Sequence, residues 1–282
     1  MKIIEPSVKL IENSYGLLGG FEMIARAGRI CYASDQIGHE VEFVDRLLTA
    51  KHYRPLEFFT VYLIFPRMEE TPWKKYRENN WSRVVEFPDN ENVYVTTNYR
   101  VIKENHWDSD IAYLSDEPTK WHKLRYTFHW IISRSIVDEF RTHTQISTLV
   151  QSTRYCCYSK KKFGNQLAFI KPSDSGENKR VDRLTRLFWK VSEIGYKWLI
   201  RAHARAEQAR RILPLDIKSE AIQCGYEEDW DNFFIQRYFG ATGKPHPDAK
   251  YIAKQAYEQY QTAKQRWEQC CAQVSERVPG EF

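Results

Sequence analysis

The sequence predicts an α+β fold, because short runs with strand periodicity are interspersed with longer runs with helical periodicity. Residues 126–132 alternate large apolar side chains with other side chains and favour a strand, although part of the run also fits a helix. Downstream of residue 180, apolar residues recur at helical spacing, which predicts a long amphipathic helix. The inward face of this helix is expected to consist of Leu184, Leu187, Phe188, Val191, Ile194, Trp198 and Leu199.

The first half of the chain supplies a helix, a strand and an unusual middle stretch. Residues 43–50 have helical spacing, residues 60–65 form a β-rich run, and residues 52–57 connect the two. Residues 67–125 are rich in Trp, Asn and charged residues and have the character of an insertion that covers the core or forms an oligomer contact. We therefore predict a single domain over residues 1–282 with an inserted segment at about 67–125.

The remaining elements follow from local signals. Residues 92–97 and 166–170 are further strand candidates. Ser133 is expected to cap a helix over residues 133–143, because a serine hydroxyl accepts a hydrogen bond from a free N–H of the first helical turn. A final helix is predicted over residues 247–274.

Composition narrows the class of protein. The net charge of +5 is spread along the 282 residues, which favours anionic ligands or a mildly basic surface over a dedicated nucleic-acid arm. The six cysteines show no CxxC spacing, so free thiols in a reducing cytoplasm are expected. No leader, no membrane-spanning run and no set of residues with metal-ligand spacing is recognisable, so we expect a cytoplasmic protein without a metal site.

The stretch FRTHTQISTLVQSTRYCCYS, residues 140–159, carries the strongest chemical signal. Gln151, Ser152, Thr153 and Arg154 follow an apolar step, so an amide, two hydroxyls and a guanidinium leave the scaffold together and could hold an anion. A single arginine in a polar loop is more often a surface ion pair of small energetic value. Two further groups strengthen the anion-binding interpretation: consecutive arginines before Pro214, and the run WDNFFIQR at residues 230–237, which KPHP follows at residues 244–247.

These blocks together resemble the flavin-dependent thymidylate synthases, particularly a longer-chain subgroup with the motif STRYxxYSKxKFG, here residues 152–164. The resemblance covers most of the chain. It starts at residues 4–8 and 25–32, continues through the histidine, proline and glutamate of residues 52–57, and includes the spacing of Asn232 and Arg237 from Pro214. Several blocks in the right order are far more specific than any one motif.

The resemblance implies a mixed or antiparallel sheet with flanking helices, assembled as a homotetramer. The implied reaction converts dUMP to dTMP, with FAD as cofactor, 5,10-methylenetetrahydrofolate as carbon donor and NADPH as reductant. In the family, residues matching 151–154 come from one subunit and those matching Arg210 and Arg237 from another. The implied dUMP-binding residues are Glu139, Gln151, Ser152, Thr153, Arg154, Arg210 and Arg237. The implied FAD-binding residues are His52, Arg54, His143, Ser147, Asn232 and His246.

Arg237 is also the candidate catalytic residue. Methylation at carbon 5 of uracil needs electron density there, and a guanidinium stabilises the negative charge that builds at N3 and O4. Taken alone, an arginine flanked by Phe233, Phe234 and Tyr238 is more often a structural residue at the edge of a core. The family spacing instead favours the catalytic role of Arg237.

The sequence departs from the family at its Arg-His-Arg motif, where Thr142 and Thr144 flank His143. Three interpretations stay open: Arg141 and Arg54 replace the lost charge, the protein transfers one carbon to another pyrimidine nucleotide, or it binds without turnover. A function of another class is nucleic-acid binding through a basic, aromatic surface. Basic residues alternate with acidic ones in most segments, so no nucleic-acid partner is expected.

Overall fold

The computed structural model describes residues 1–32, 38–68, 70–88, 90–158 and 164–277. The second part of the STRYxxYSKxKFG motif, residues 159–163, lies outside these ranges. The helices are α1 Gly16–Tyr32, α2 Glu40–Thr49, α3 Tyr99–Glu104, α4 Arg134–Phe140, α5 Lys179–Arg201, α6 Ala206–Ala209, α7 Glu227–Phe234 and α8 Pro247–Arg277. The strands are β1 Lys2–Ile4, β2 Ser7–Ile11, β3 Thr60–Pro66, β4 Arg83–Glu86, β5 Asn92–Asn98, β6 Arg125–Ser133, β7 Ser147–Val150, β8 Ala168–Ile170 and β9 Lys218–Tyr226.

A four-stranded antiparallel sheet in the order β2-β6-β9-β7 forms the centre of the molecule. The alternation predicted at residues 126–132 is therefore a strand. Its large side chains, including Phe128 and Trp130, pack against Phe140 of α4 and Trp230 and Phe233 of α7 in a fully buried aromatic cluster. Burying each such side chain stabilises the fold by roughly 1.5–3 kcal/mol, so this cluster anchors α4 and α7 firmly to the sheet.

A second antiparallel sheet has the strand order β3-β5-β4. Strands β4 and β5 lie within the segment 67–125, and β3 comes directly before it. Helices α1 and α2 and a 3₁₀ helix at Arg54–Phe58 share a core with this sheet. Gly20 permits the close approach of α1, because a Cβ atom at this position would lie 2.2 Å from the ring of Phe59. The interpretation of 67–125 as an insertion in a single domain stays a prediction.

The prediction of which face of α5 packs against the core is wrong. The face of α5 that packs inward consists of Trp189, Glu193 and Tyr196, and Trp189 stacks on Phe169 with centroids 4.9 Å apart. Most of the expected inward side chains are instead exposed, namely Leu184, Leu187, Phe188, Val191, Ile194 and Trp198. The helix has two apolar faces, and the aromatic one is buried. Polar atoms on that face are hydrogen-bonded, as shown by the Trp189 indole, which donates to Asp216.

The other element predictions hold with shifted ends. Antiparallel sheets with flanking helices confirm the α+β fold class, and β1 and β8 add a parallel pair. Ser133 caps α4 as expected, since its hydroxyl accepts from the N–H of Ile136. The helix expected over 133–143 ends earlier, at Phe140, because Thr142 turns back and donates its hydroxyl to the carbonyl of Glu139 at 2.7 Å. None of the six cysteines, all of which lie in the described ranges, forms a disulfide.

Two kinds of feature are absent from the described ranges. Within them, none of the helices combines the length and the apolar character needed to cross a bilayer. The same residues contain no group of three or more His, Cys, Asp or Glu side chains placed to hold a metal ion.

Candidate functional site

Arg237 is positioned by an irregular extension of α7. Helix α7 begins where the Asp229 carboxylate accepts from the N–H of Tyr226 at 3.0 Å, and it continues at its end as a single π turn, Ile235–Phe239. Gly240 ends this turn with φ of 80°, a left-handed conformation that glycine adopts without strain. Such π turns are frequent at functional sites, because they point side chains in directions that a regular helix does not.

The guanidinium of Arg237 binds the turn that follows α4. Its Nε donates to Nε2 of His143 at 3.0 Å, and its Nη2 donates to the carbonyl of Glu139 at 3.0 Å and to the Thr142 hydroxyl at 2.9 Å. Nη1 lies 3.4 Å from the Glu139 carboxylate. We call these four residues the Arg237 cluster. The side chain of Arg237 is 21% exposed, so the group is held in place and still reachable from solvent.

His143 is neutral at physiological pH. It is buried against the ring of Phe233, and this burial, together with the nearby Arg237 charge, lowers its pKa to about 4. Because the arginine Nε always donates, Nε2 of His143 must accept, which places the imidazole proton on Nδ1. The histidine therefore acts here as a hydrogen-bond acceptor that orients the guanidinium.

A small cavity of about 200 Å³ adjoins the Arg237 cluster. Asn232 lies on its wall and accepts from the Gln236 side-chain amide at 3.1 Å. Burial raises the pKa of Asp229, which also lines the cavity. The lining residues are Thr142, His143, Thr144, Gln145, Ile146, Glu228, Asp229, Asn232 and Gln236.

The segment 151–154, which we call the Arg154 loop, follows β7 at the edge of the main sheet. Gln151 is buried, its N–H donates to the carbonyl of Glu220, and its Oε1 has no hydrogen-bond partner among the described residues. The N–H of Ser152 donates to the carbonyl of Cys31 at the end of α1. The Ser152 hydroxyl in turn accepts from the N–H of Arg154 at 3.2 Å, so the loop has a defined conformation.

Two arginines meet at the Arg154 loop. Arg154 is largely exposed and its Nε pairs with the Glu207 carboxylate at 3.0 Å. Arg210, on the 3₁₀ turn after α6, donates from Nη1 to the Thr153 hydroxyl at 3.1 Å. Arg210 thus lies beside the loop of its own chain, whereas the family resemblance implied that the two come from different subunits. Within the described ranges, the hydrogen bonds of Arg237 go to His143, Glu139 and Thr142 and not to this loop.

The other residues expected to bind FAD lie on different elements of the fold, and the 3₁₀ helix that Arg54 begins packs against the strand that carries Ser147. Ser147, on β7, is buried and its hydroxyl has no partner in the described part of the chain. His52 is exposed, and Arg54 starts the 3₁₀ helix and lies 3.6 Å from the Glu57 carboxylate. His246 is exposed and its Nδ1 accepts from the N–H of Asp248 at the start of α8. Arg141, considered as a substitute for the missing charge, pairs with Asp138 at 3.4 Å and is exposed.

The sequence did not reveal the partners that organise these groups. Glu207 neutralises Arg154 across 53 positions, and nothing in the local sequence marks that pairing. Gln223 on β9 connects the end of α4 to β7, donating to the Phe140 carbonyl at 3.4 Å and to the Thr148 hydroxyl at 2.9 Å. Thr142 was treated as a lost charge, yet it is a direct partner of Arg237. Only Gln236, one helical turn from Asn232, was recognisable from spacing.

Comparison with known proteins places the chain in a family. The family profile Thy1, thymidylate synthase complementing protein, matches residues 100–264, which is more than half of the chain. The protein therefore belongs to the thymidylate synthase complementing protein family, and the family expected from the sequence motifs is confirmed. No curated protein matches the chain.

Solved structures with a similar course of the chain include two of the UMP/dUMP methylase PolB from Streptomyces cacaoi. The one bound with 5-Br UMP is 14% identical, covers 92% of this chain and 91% of its own, and gives a TM-score of 0.46. The one bound with 5-Br dUMP is 14% identical, covers 92% of both chains and gives a TM-score of 0.45. The family assignment rests on the profile match and not on these two structures.

Proposed function

We propose that this protein methylates dUMP to dTMP, taking the carbon from 5,10-methylenetetrahydrofolate. The observation that carries the proposal is the Arg237 cluster, a reachable guanidinium held in one orientation beside a cavity in a chain of this family. A preorganised charge of this kind contributes most where negative charge develops during a reaction. In uracil methylation that charge develops at N3 and O4 when carbon 5 attacks the one-carbon unit.

The Arg154 loop is the proposed site for the nucleotide phosphate. Arg154 and the Ser152 hydroxyl supply a charge-assisted and a neutral donor from the loop, and Arg210 adds a second guanidinium from the 3₁₀ turn beside it. A phosphate bound there would compete with Glu207 for Arg154, because both are anions that pair with the same guanidinium. Gln151, with its free Oε1, is the proposed partner of a sugar hydroxyl.

FAD is the proposed cofactor, and the residues present fit part of it. Ser147 offers a buried hydroxyl without a partner, and Asn232 offers an amide at the cavity wall. The cavity of about 200 Å³ is smaller than an ordinary site for a drug-sized molecule, roughly 300–1,000 Å³, so one chain supplies only part of the proposed site. When bound, the reduced flavin supplies the hydride that converts the transferred methylene to a methyl group, and NADPH is the proposed source of its electrons.

A homotetramer is proposed to complete the site. The small cavity beside the Arg237 cluster is lined by no residue of the Arg154 loop, which supports a nucleotide site that joins surfaces from different copies. The exposed face of α5 is a suitable contact for a second copy. Along it, apolar side chains alternate at spacings of three and four, interrupted at Gly195, which is the pattern of a helix-pairing seam. These side chains are 47–66% exposed: Val181, Leu184, Phe188, Val191 and Trp198.

The test is product formation with a panel of acceptors. Purified protein is incubated with FAD, NADPH and 5,10-methylenetetrahydrofolate, together with dUMP, UMP or dCMP, and products are identified by mass spectrometry. The proposal expects a methylated product from dUMP. Methylation of UMP alone would support the related transfer to another pyrimidine nucleotide, and the absence of any methylated nucleotide would overturn the proposal.

A further inference from the structure

A cavity remote from the Arg237 cluster lies between the edge of the main sheet and α8. Its volume of about 790 Å³ is within the range of small-molecule sites. Aromatic side chains from three parts of the chain line it: Tyr15 before α1, Tyr62 of β3 and Trp267 of α8. These three residues lie outside the segment 100–264 that matches the family. The cavity shares no lining residue with the cavity beside Arg237.

Arg125, at the start of β6, lines this cavity as a buried cation that forms no ion pair with a carboxylate of the described residues. Its guanidinium lies 5.5 Å from the ring centroid of Tyr226, and the charge of Glu57 acts on it from farther away. Its side chain is only 3% exposed, and Nη1 donates to the Glu57 carbonyl at 2.9 Å and to the Thr60 hydroxyl at 3.3 Å. Nε has no hydrogen-bond partner, and no carboxylate of the described residues lies within 4.0 Å of the guanidinium. A buried charge without a directly paired counter-ion is costly, so an anion arriving here would be stabilised by more than an exposed arginine could provide.

Tyr62 places a second unused donor in the same wall. It is 2% exposed, and its hydroxyl has no partner in the described part of the chain. Burial raises the pKa of this hydroxyl, so it stays protonated and can donate. The ring of Tyr15 meets the ring of Tyr62 edge to face, with centroids 6.2 Å apart. The wall therefore combines hydrogen-bond donors with aromatic surface.

Charges elsewhere on the lining limit the ligand further. Glu12 and Glu258 also line the cavity, against the single additional cation Arg266. Two carboxylates disfavour a ligand with several negative charges, such as a nucleotide phosphate, because each like charge brought close costs electrostatic energy. A ligand with one negative group and an apolar body meets a smaller penalty, because only one charge is repelled by these carboxylates.

We propose that this cavity binds a planar aromatic monocarboxylate, with its carboxylate toward Arg125 and Tyr62 and its ring among the aromatic side chains. Aromatic pairs stabilise a complex by about 0.5–1.5 kcal/mol beyond the area they bury, which favours a flat ring over an aliphatic chain of equal size. The site is independent of the proposed methylation, and the ligand needs no chemical step.

The probe is 2-naphthoate, titrated by calorimetry into the full-length protein, with neutral 2-naphthamide as the matched control. The proposal expects saturable binding of one naphthoate per chain and at least tenfold weaker binding of the amide. Two variants locate the ligand. Ala263→Phe fills the cavity and should abolish binding, whereas Glu177→Gln, on the exposed loop before α5, should leave it unchanged.

Tyr62→Phe tests the donor directly. It removes only a hydroxyl that has no partner, so folding should be preserved while naphthoate affinity falls severalfold. This variant avoids the risk that replacing Arg125 unfolds the protein by freeing the Glu57 carbonyl. Absence of saturable binding, equal affinity for the amide, or binding that survives Ala263→Phe would each overturn the proposal.

Discussion

Arg237 donates its Nε–H to Nε2 of His143 at 3.0 Å, and this contact fixes both side chains. It assigns the imidazole proton to Nδ1 and directs the two Nη groups of the arginine toward Glu139 and Thr142. The histidine that the family places between two arginines therefore has a structural task here that does not depend on those arginines. It keeps the guanidinium in place on the π turn.

Replacing Arg237 should remove turnover while leaving the fold largely intact. Loss of a preorganised charge stabiliser typically costs on the order of a hundredfold or more in rate, so Arg237→Ala and Arg237→Lys should both lose dTMP formation. Flavin content should stay near that of the wild type, because the proposed work of Arg237 is on the uracil ring. Arg141→Lys is the matched control, since Arg141 is exposed and pairs with Asp138. Wild-type kcat in Arg237→Ala would refute the role.

Stability should fall as the pH drops below about 6.5. The pKa of His143 is lowered to about 4 in the folded protein by burial and by Arg237, and that of His122 is lowered to about 4 by burial. Below the unfolded pKa of 6.5 the unfolded chain binds more protons, so the stabilisation present above 6.5 is progressively lost toward pH 4. Each histidine should account for about 1.6 kcal/mol between pH 6.5 and pH 5.

Urea titrations of the two single variants separate these contributions. His143→Gln and His122→Gln should each remove part of the pH dependence of the unfolding free energy, and the double variant should remove most of it. A pH dependence that is unchanged in His143→Gln would mean that this imidazole is not buried in its neutral form.

Glu207 should weaken phosphate binding by holding Arg154. Glu207→Gln removes the carboxylate that pairs with Arg154 at 3.0 Å, so dUMP should bind more tightly, whereas Arg154→Ala should weaken it. The pair is exposed, so changes of about twofold to fivefold are expected. Calorimetry with dUMP and with inorganic phosphate measures both. Glu177→Gln, on an exposed loop, is the control. Equal dUMP affinity in all variants would mean that Arg154 forms only a surface ion pair and does not bind the phosphate.

Several features of the site follow from sequence because they depend on local spacing or on one-dimensional pattern. The strand at residues 126–132 and the Ser133 cap are of this kind. The family blocks also indicate Arg237 as a candidate from the sequence alone. The contacts that orient Arg237 join positions almost 100 residues apart, and local pattern carries no information about them.

The error at α5 has a physical origin. Periodicity shows that a helix has an apolar face, and α5 has two. The face chosen from the sequence had the larger aliphatic content, whereas the buried face uses Trp189, Glu193 and Tyr196, whose polar atoms are satisfied inside. The early end of α4 likewise depends on the hydroxyl of Thr142, which competes with helix continuation by bonding to the Glu139 carbonyl.

The two threonines beside His143 should respond differently to arginine. Thr144 is exposed, lines the small cavity and makes no side-chain hydrogen bond to the described residues. Thr144→Arg should therefore add a charge-assisted donor and tighten flavin binding. Thr142→Arg should not, because it removes the hydroxyl that Arg237 contacts and places a second guanidinium against it. Fluorescence titration of FAD tests both. Equal gains in the two variants would contradict the role of Thr142.

A charge on the exposed face of α5 should dissociate the proposed tetramer. Phe188→Glu places a carboxylate in the centre of the apolar stripe, which would be costly to bury in a contact between copies. Light scattering should show smaller species, and dTMP formation should fall with them. Lys190→Glu, one position outside the stripe, is the control. A wild-type protein that is monomeric and fully active would contradict the proposal of a homotetramer.

The central claim is that the protein makes dTMP by a route in which reduced flavin, and not the folate, supplies the hydride. The most direct measurement is a single reaction with dUMP, 5,10-methylenetetrahydrofolate, FAD and NADPH in which both products are identified. If the hydride comes from flavin, the folate must leave as tetrahydrofolate, one molecule for each dTMP formed. Formation of dTMP with dihydrofolate, or tetrahydrofolate without any dTMP, would contradict the account.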